Sequence, residues 1–135
     1  KFLGHDPVMN MDGAQVFDFT LKRVPSMIEK IMEEASVTSS DIDHFVLHQP
    51  NKYILQNIKK RMKLTDEKVP HLTQSVYGNQ NSASIPGTIN GFLSNGYSRR
   101  CLTSVVAGFG IGLSWGAGII KTENIYAPKT FHLGE

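Results

Sequence analysis

The sequence is short of cysteine and short of net charge. A single cysteine, Cys101, stands among 135 residues. It excludes an internal disulfide, and nothing argues for secretion. Fourteen lysines and arginines face twelve aspartates and glutamates, a net charge of +2. That balance is too small for an electrostatic grip on nucleic acid. No basic-then-apolar leader opens the chain, and no repeat or low-complexity stretch runs through it. No initiator methionine precedes Lys1, so the chain is expected to be part of a longer protein. What is present is an ordinary globular composition, 40% hydrophobic and 19% charged. It is too apolar for disorder, and its length suits one domain or one half of a larger fold.

Charge is also missing locally. Nineteen residues from Leu102 to Ile120 carry none. About 20 apolar residues would cross a bilayer as a helix. However, Gly108, Gly110, Gly112, Gly116 and Gly118 all fall at even positions. Spacing by two is a strand rhythm, and glycines make poor helix. The run is therefore expected to form two buried strands joined by a glycine turn, with no membrane span.

Upstream the rhythm changes. Residues 8–11 give a weak extended segment. Asp12 has the chemistry of a helix N-cap, and apolar residues then recur at helical spacing from Val16 to Met32. Pro25 lies inside that pattern and is expected to kink or split the helix. Phe45, Val46 and Leu47 form a short apolar strand that runs into His48-Gln49-Pro50-Asn51. A second helix is expected over 52–62, a strand over 69–73 and a turn over 78–81. A third helix of small residues is expected over 82–93, with Asn or Ser as its cap. The last strands are expected over 101–107 and 113–120, and a polar tail follows. This alternation implies an α/β layered fold with a mostly parallel sheet and an antiparallel finish.

Five features bear on candidate chemistry. His48 closes a strand and opens a turn into a helix, and strand ends are where open α/β sheets bind ligands. Asp43, His44 and His48 do not make a zinc site, because residues 44 and 48 lie roughly 13 Å apart along a strand. Asn79 offers an amide that can donate a hydrogen bond to a carbonyl or oxyanion, which suits a site shared with His48. The loop from Gly108 to Gly116 fits no dinucleotide-binding spacing, but a tight glycine turn can present backbone N–H groups to a ligand. Cys101 begins a strand at the end far from that turn and reads as structural, despite Arg99 and Arg100 beside it. Lys59, Lys60, Arg61 and Lys63 form a basic helix end, either simply solvated or a docking patch for an acidic partner.

Taken in order, three segments form a pattern. They are His48-Gln49-Pro50-Asn51, Gly78-Asn79-Gln80-Asn81-Ser82-Ala83-Ser84-Ile85-Pro86, and Gly108-Phe109-Gly110-Ile111-Gly112-Leu113-Ser114-Trp115-Gly116. Together they resemble the C-terminal half of the beta-ketoacyl-acyl-carrier-protein synthase III family. The resemblance covers about residues 8–121 and includes the lead-in over 10–19. It implies the C-terminal half of a thiolase-like α/β fold, a mixed five-stranded sheet with helices packed on it. A condensing-enzyme domain is expected over 1–121 and a tail over 122–135.

The resemblance further implies a Cys-His-Asn condensing site. A cysteine takes an acyl group from a thioester. The histidine and asparagine, here His48 and Asn79, then promote decarboxylation of a malonyl thioester and stabilise its enolate. A neutral imidazole and an amide would do so without neutralising the charge beforehand. The oxyanion hole takes one donor from the glycine loop, by match the N–H of Ile111, where the family has glycine. Phe109, Gly110 and Gly112 line that side. The implied substrates are acyl-CoA and malonyl-acyl-carrier-protein thioesters, with no cofactor. The implied partners are acyl carrier protein, the chain's own N-terminal half and a second copy in a homodimer, with no nucleic acid. The implied compartment is the cytoplasm.

The departures bear on mechanism. The nucleophilic cysteine belongs to the family's N-terminal half, and nothing in this chain matches it. These residues alone are therefore expected to be inactive. Pro50 replaces a family alanine. Tyr53 replaces a carrier-docking arginine, leaving Lys52, Lys59, Lys60 and Arg61 as the candidate docking cations. Two alternatives stand beside the synthase. One is a related coenzyme A-thioester condensing enzyme that makes polyketides, ketones or 3-hydroxy-3-methylglutaryl products. The other is a non-catalytic partner subunit of the same fold.

Overall fold

A computed structural model describes residues 12–93 and 101–128. Helix α1 (Gly13–Glu34) opens at Asp12, whose carboxylate accepts from the N–H groups of Ala14 and Gln15, each at 3.0 Å. Such a cap contributes about 1 kcal/mol. Its buried stripe is Phe19, Thr20, Val24, Pro25 and Ile28. Pro25 does not split it, and the helix runs unbroken through Glu34. The buried residues on both sides of the proline hold its two halves against the same core.

Strand β1 (His44–Leu47) follows, then helix α2 (Lys52–Arg61), the short helix α3 (Leu72–Tyr77), a 3-10 turn over Asn81–Ala83 and helix α4 (Ser84–Phe92). Strands β2 (Leu102–Gly110) and β3 (Ser114–Thr122) close the order. The uncharged run is two strands and a turn, but only β2 is buried as expected; β3, paired in the sheet through β2 alone, is exposed or half-buried along most of its length. β1 pairs parallel to β2, with Phe45 opposite Val105 and Leu47 opposite Ala107. β2 pairs antiparallel to β3, from Leu102 opposite Thr122 to Gly110 opposite Ser114.

Strands β1 and β2 are covered on both faces. Phe45, Leu47, Val105, Ala107 and Phe109 point to one side and pack with Val24, Ile28, Ile54, Leu55 and Ile58 of α1 and α2. Val46 and Leu102 belong to the other side, with Phe92 and Leu93 at the end of α4. This is why Phe45, Val46 and Leu47 are consecutive and all buried, at no more than 1% exposure. A strand covered on both faces needs no polar alternation. Each such side chain contributes roughly 1.5–3 kcal/mol by leaving water.

Three expectations need correction. The described residues hold three strands, not five. The segment over 8–11 lies outside the described residues. The segment over 69–73 is not a strand. Pro70 has no N–H for a ladder, and α3 begins at Leu72. Just before it, the Lys68 carbonyl accepts from the Phe45 N–H of β1 at 2.6 Å, and Val69 packs into the core beside the sheet. The third helix is also shorter than expected: its first turn is the 3-10 turn, and α4 carries no side-chain cap.

Candidate active site

Parallel strands β1 and β2 end at the same edge of the sheet, and the candidate residues gather there. His48 is the first residue beyond β1. Its N–H donates to the Ala107 carbonyl at 2.8 Å, which continues the parallel ladder and fixes the backbone. Its ring is half-buried and meets Phe109, near the end of β2, edge to face at 5.4 Å between centroids. Burial lowers the His48 pKa below the usual imidazole value, and a hydrogen bond to the Asn81 backbone partly opposes that shift. The resting ring is therefore neutral near pH 7.

The rest of the His48 motif is structural. Gln49 is fully buried. Its Nε2 donates to the Pro70 carbonyl at 2.8 Å, and its Oε1 accepts from the Gln74 N–H at 2.7 Å. It thus clamps the segment that leads to Asn79. Asn51 caps α2, accepting from the Ile54 N–H at 2.9 Å.

Asn79 lies in the loop between α3 and α4, after Gly78, whose φ of 72° suits glycine. It is exposed, and its Oδ1 accepts from the Asn81 N–H at 2.9 Å. That bond orients the amide and leaves its Nδ2 hydrogens without a protein partner among the described residues. Asn81, at φ 51°, turns its carbonyl to accept from the buried Ser84 hydroxyl at 2.7 Å. The same hydroxyl lies 2.8 Å from His48 Nδ1. Asn79 and His48 are thus joined through the two sides of one residue, Asn81, and through Ser84.

Sequence reasoning named neither Asn81 nor Ser84 as a site residue. It read the Asn-Ser run as a turn with a helix cap. The turn is there, but the Ser84 hydroxyl serves His48 and the Asn81 carbonyl instead of a helix N–H. The available signal was a serine three residues after an asparagine, opening a helix beside two candidate site residues.

The glycine turn lies beyond Phe109 on the same edge. Ile111 sits at its tip, 67% exposed, with its carbonyl accepting from Ser114 Oγ at 3.2 Å. No hydrogen bond occupies the Ile111 amide among the described residues. Gly112 holds φ 130°, a conformation closed to other residues. At Gly110 an added Cβ would meet nothing within 4 Å.

Cys101 is free and exposed at the opposite end of β2. The length of that strand puts it about 30 Å from the glycine turn, so it does not join the site. Of the candidate docking cations, Lys52, Lys60 and Arg61 are exposed, whereas Lys59 is tied to Asp66 in an ion pair.

The comparisons with known proteins agree with this architecture. Residues 32–122 match the family described as 3-oxoacyl-[acyl-carrier-protein (ACP)] synthase III C terminal. A beta-ketoacyl-[acyl-carrier-protein] synthase III of Microcystis aeruginosa is 41% identical over 113 residues, which are 84% of this chain and 34% of that protein. The solved structure of a 3-oxoacyl-(acyl-carrier protein) synthase from Burkholderia xenovorans superposes with a TM-score of 0.80 at 32% identity, over 85% of this chain and 33% of that one. The synthase III of Pseudomonas aeruginosa gives a TM-score of 0.80 at 30% identity, over 87% of this chain and 37% of that one. The chain spans about a third of the length of these relatives. In sequence and in fold, it belongs to the 3-oxoacyl-[acyl-carrier-protein] synthase III C-terminal family.

Proposed function

We propose that this chain supplies the histidine–asparagine side of a decarboxylative condensing enzyme. The enzyme joins an acyl thioester to malonyl-acyl-carrier protein in fatty acid biosynthesis. The observation that carries the reading is the hydrogen-bonded link from Asn79 through Asn81 and Ser84 to His48, at the sheet edge beside the glycine turn.

The chemistry follows from charge. When the malonyl carboxylate leaves as CO2, its bonding electrons move toward the thioester carbonyl and build an enolate oxyanion. Oriented polar groups in a partly dehydrated site stabilise that charge without reorganising. Asn79, with its oxygen committed to Asn81, has only donors to offer. His48 supplies the second group. The enolate carbon then attacks the acyl group held on a cysteine, and the thiolate departs. No cysteine of this chain reaches the site among the described residues, so we assign the nucleophile to a preceding half of the enzyme. The Ile111 N–H serves the oxyanion of the acyl-transfer step, flanked by Phe109, Gly110 and Gly112.

Thioester activation calls for no cofactor in this scheme. The domain runs to the end of β3, with the polar tail after it. Acyl carrier protein is acidic-partner chemistry for Lys52, Lys60 and Arg61. A homodimer and a cytoplasmic setting complete the proposal. No helix among the described residues is long and apolar enough to cross a membrane.

The test is His48→Ala in the enzyme that contains this chain. Malonyl decarboxylation is expected to fall by about 10²–10³-fold, with acyl transfer to the cysteine largely intact. Equal loss of both steps would overturn the assignment.

A further inference from the structure

A backbone N–H that holds an acceptor also sets how far that acceptor lies from its own residue's side chain. Ile111 offers such an N–H at the tip of the glycine turn, with no hydrogen bond on it among the described residues. The turn does not need the isoleucine side chain to hold its shape. Gly112 reverses the chain at φ 130°, and the Ser114 hydroxyl donates to the Ile111 carbonyl at 3.2 Å. The side chain itself is 67% exposed and belongs to neither buried cluster. Gly110 and Gly112 flank it, so Ile111 carries the only side chain between Phe109 and Leu113.

Two constraints fix where that side chain lies relative to the N–H. Ile111 has a negative φ, since the described non-glycine residues at positive φ are Ser36, Lys63, Asn81 and Asn124. Over the ordinary negative range, Cβ lies on the amide hydrogen's side of the N–Cα bond. Standard bond lengths then put an oxygen bound to that hydrogen about 4 Å from Cβ. The second constraint is the branch at Cβ, which fills two of the three staggered positions with carbon. Only one of the three is anti to the backbone nitrogen. Every rotamer of isoleucine therefore folds at least one γ carbon toward the N–H side.

From this we propose that the Ile111 side chain is a specificity determinant of acyl transfer, admitting acyl groups unbranched beside the carbonyl and excluding those branched there. The inference rests on the proposed function, which puts the acyl carbonyl oxygen on the Ile111 N–H. In that step the cysteine thiolate assigned to the preceding half attacks the carbonyl carbon. The C=O π pair moves onto oxygen, and its return breaks the bond to sulfur and expels the coenzyme A thiolate. Throughout, the γ carbons of Ile111 border the carbonyl and the first carbon of the acyl chain. A straight chain presents hydrogens there, whereas a methyl branch competes for the same space. Glycine, which the resemblance places here, would make neither contact.

The experiment measures coenzyme A release by the enzyme that contains this chain, from propionyl-CoA and isobutyryl-CoA. The two differ by one methyl group on the carbon beside the carbonyl. Wild type is expected to favour propionyl by about tenfold or more in kcat/KM, the scale on which a pocket rejects one added methyl. Ile111→Ala removes both γ carbons and is expected to bring the ratio to within about threefold of unity. Ile111→Val keeps the branch and is expected to retain the wild-type preference. A wild-type enzyme indifferent to the branch, or an unmoved ratio in a folded Ile111→Ala enzyme, would overturn the proposal while leaving the condensing-enzyme reading intact. Release from neither thioester by wild type would defeat that reading, and this inference with it.

Discussion

At the scale of the residue, the site uses short polar side chains in linked rather than independent roles. Asn79 is the clearest case. Its oxygen accepts from the Asn81 N–H, and its nitrogen is the end available for substrate. Asn79→Asp keeps the acceptor and removes the donor. Stability is expected to stay within about 0.5 kcal/mol of wild type in urea titrations, because the residue is exposed and its loop bond survives. Malonyl decarboxylation by the containing enzyme is expected to drop by about 10²-fold or more, since a carboxylate repels the enolate it should stabilise. A stable variant with unchanged decarboxylation would exclude Asn79 from the chemistry. Gln49 shows the opposite division. It sits beside His48 in sequence, yet both ends of its amide are used on the Pro70 and Gln74 backbone. Adjacent motif residues here split between chemistry and scaffold.

At the scale of the element, the helices that support the site end in an unusual way. After α1, the Ser36 N–H donates to the Glu33 carbonyl and the Val37 N–H to Met32. After α2, the Lys63 N–H donates to Lys60 and the Leu64 N–H to Lys59. Both are Schellman motifs, where glycine is the common left-handed residue. Here Ser36 and Lys63 take that position, at φ 55° and 54°. Each carries a Cβ that the left-handed region disfavours. Ser36→Gly and Lys63→Gly are each expected to raise stability by about 0.5–1 kcal/mol, the relief of strain exceeding the added freedom of the unfolded chain. The urea midpoint would rise with an unchanged slope. A lower midpoint would show that contacts of these side chains outweigh the strain. The sequence signalled where these helices stop, through the polar run Ser39-Ser40-Asp41 and the basic run Lys59-Lys60-Arg61. It did not signal the manner, because neither stop carries the glycine that advertises this cap.

At the scale of the whole molecule, two partly buried histidines link stability to pH. His44 packs against Phe92 at 4.6 Å between ring centroids, and His48 against Phe109. Both have pKa values lowered chiefly by burial. Around His44, a hydrogen bond to the Glu67 backbone and the charge of Asp43 oppose the shift, and Lys68 reinforces it. A lowered folded pKa means that the unfolded chain binds more protons below the ordinary imidazole value. Stability is then fully present above about pH 6.5 and lost as pH falls through that value toward the folded ones. The urea midpoint is expected to be flat just above neutrality and to decline as pH falls below about 6.5. That decline precedes the range of Asp12, Asp41, Asp66 and Glu67, whose pKa values lie below the usual carboxylate values. A midpoint that holds steady below the ordinary imidazole value, down to the onset of carboxylate protonation, would contradict the burial of both rings.

The sequence by itself determined much of the scaffold. The glycines at even positions in an uncharged run determined two strands and a turn, because only extended chain repeats every two residues. The apolar spacing after Asp12 determined α1, and the triplet Phe45-Val46-Leu47 a strand covered on both faces. The ordered segments around His48, Asn79 and Phe109 singled out the candidate site. Tertiary structure decided the rest. Pro25 stays within one helix because residues on both sides of it are buried in the same core. The expected strand over 69–73 gives way to α3, held by a glutamine more than twenty residues upstream whose amide claims the backbone of that segment. The His48 ring meets the Ser84 hydroxyl, thirty-six residues away in sequence and 2.8 Å away in space. Periodicity reports which face of an element is dry. Which single hydroxyl meets which ring nitrogen depends on how the strand and helix are packed, and only the folded chain makes that contact.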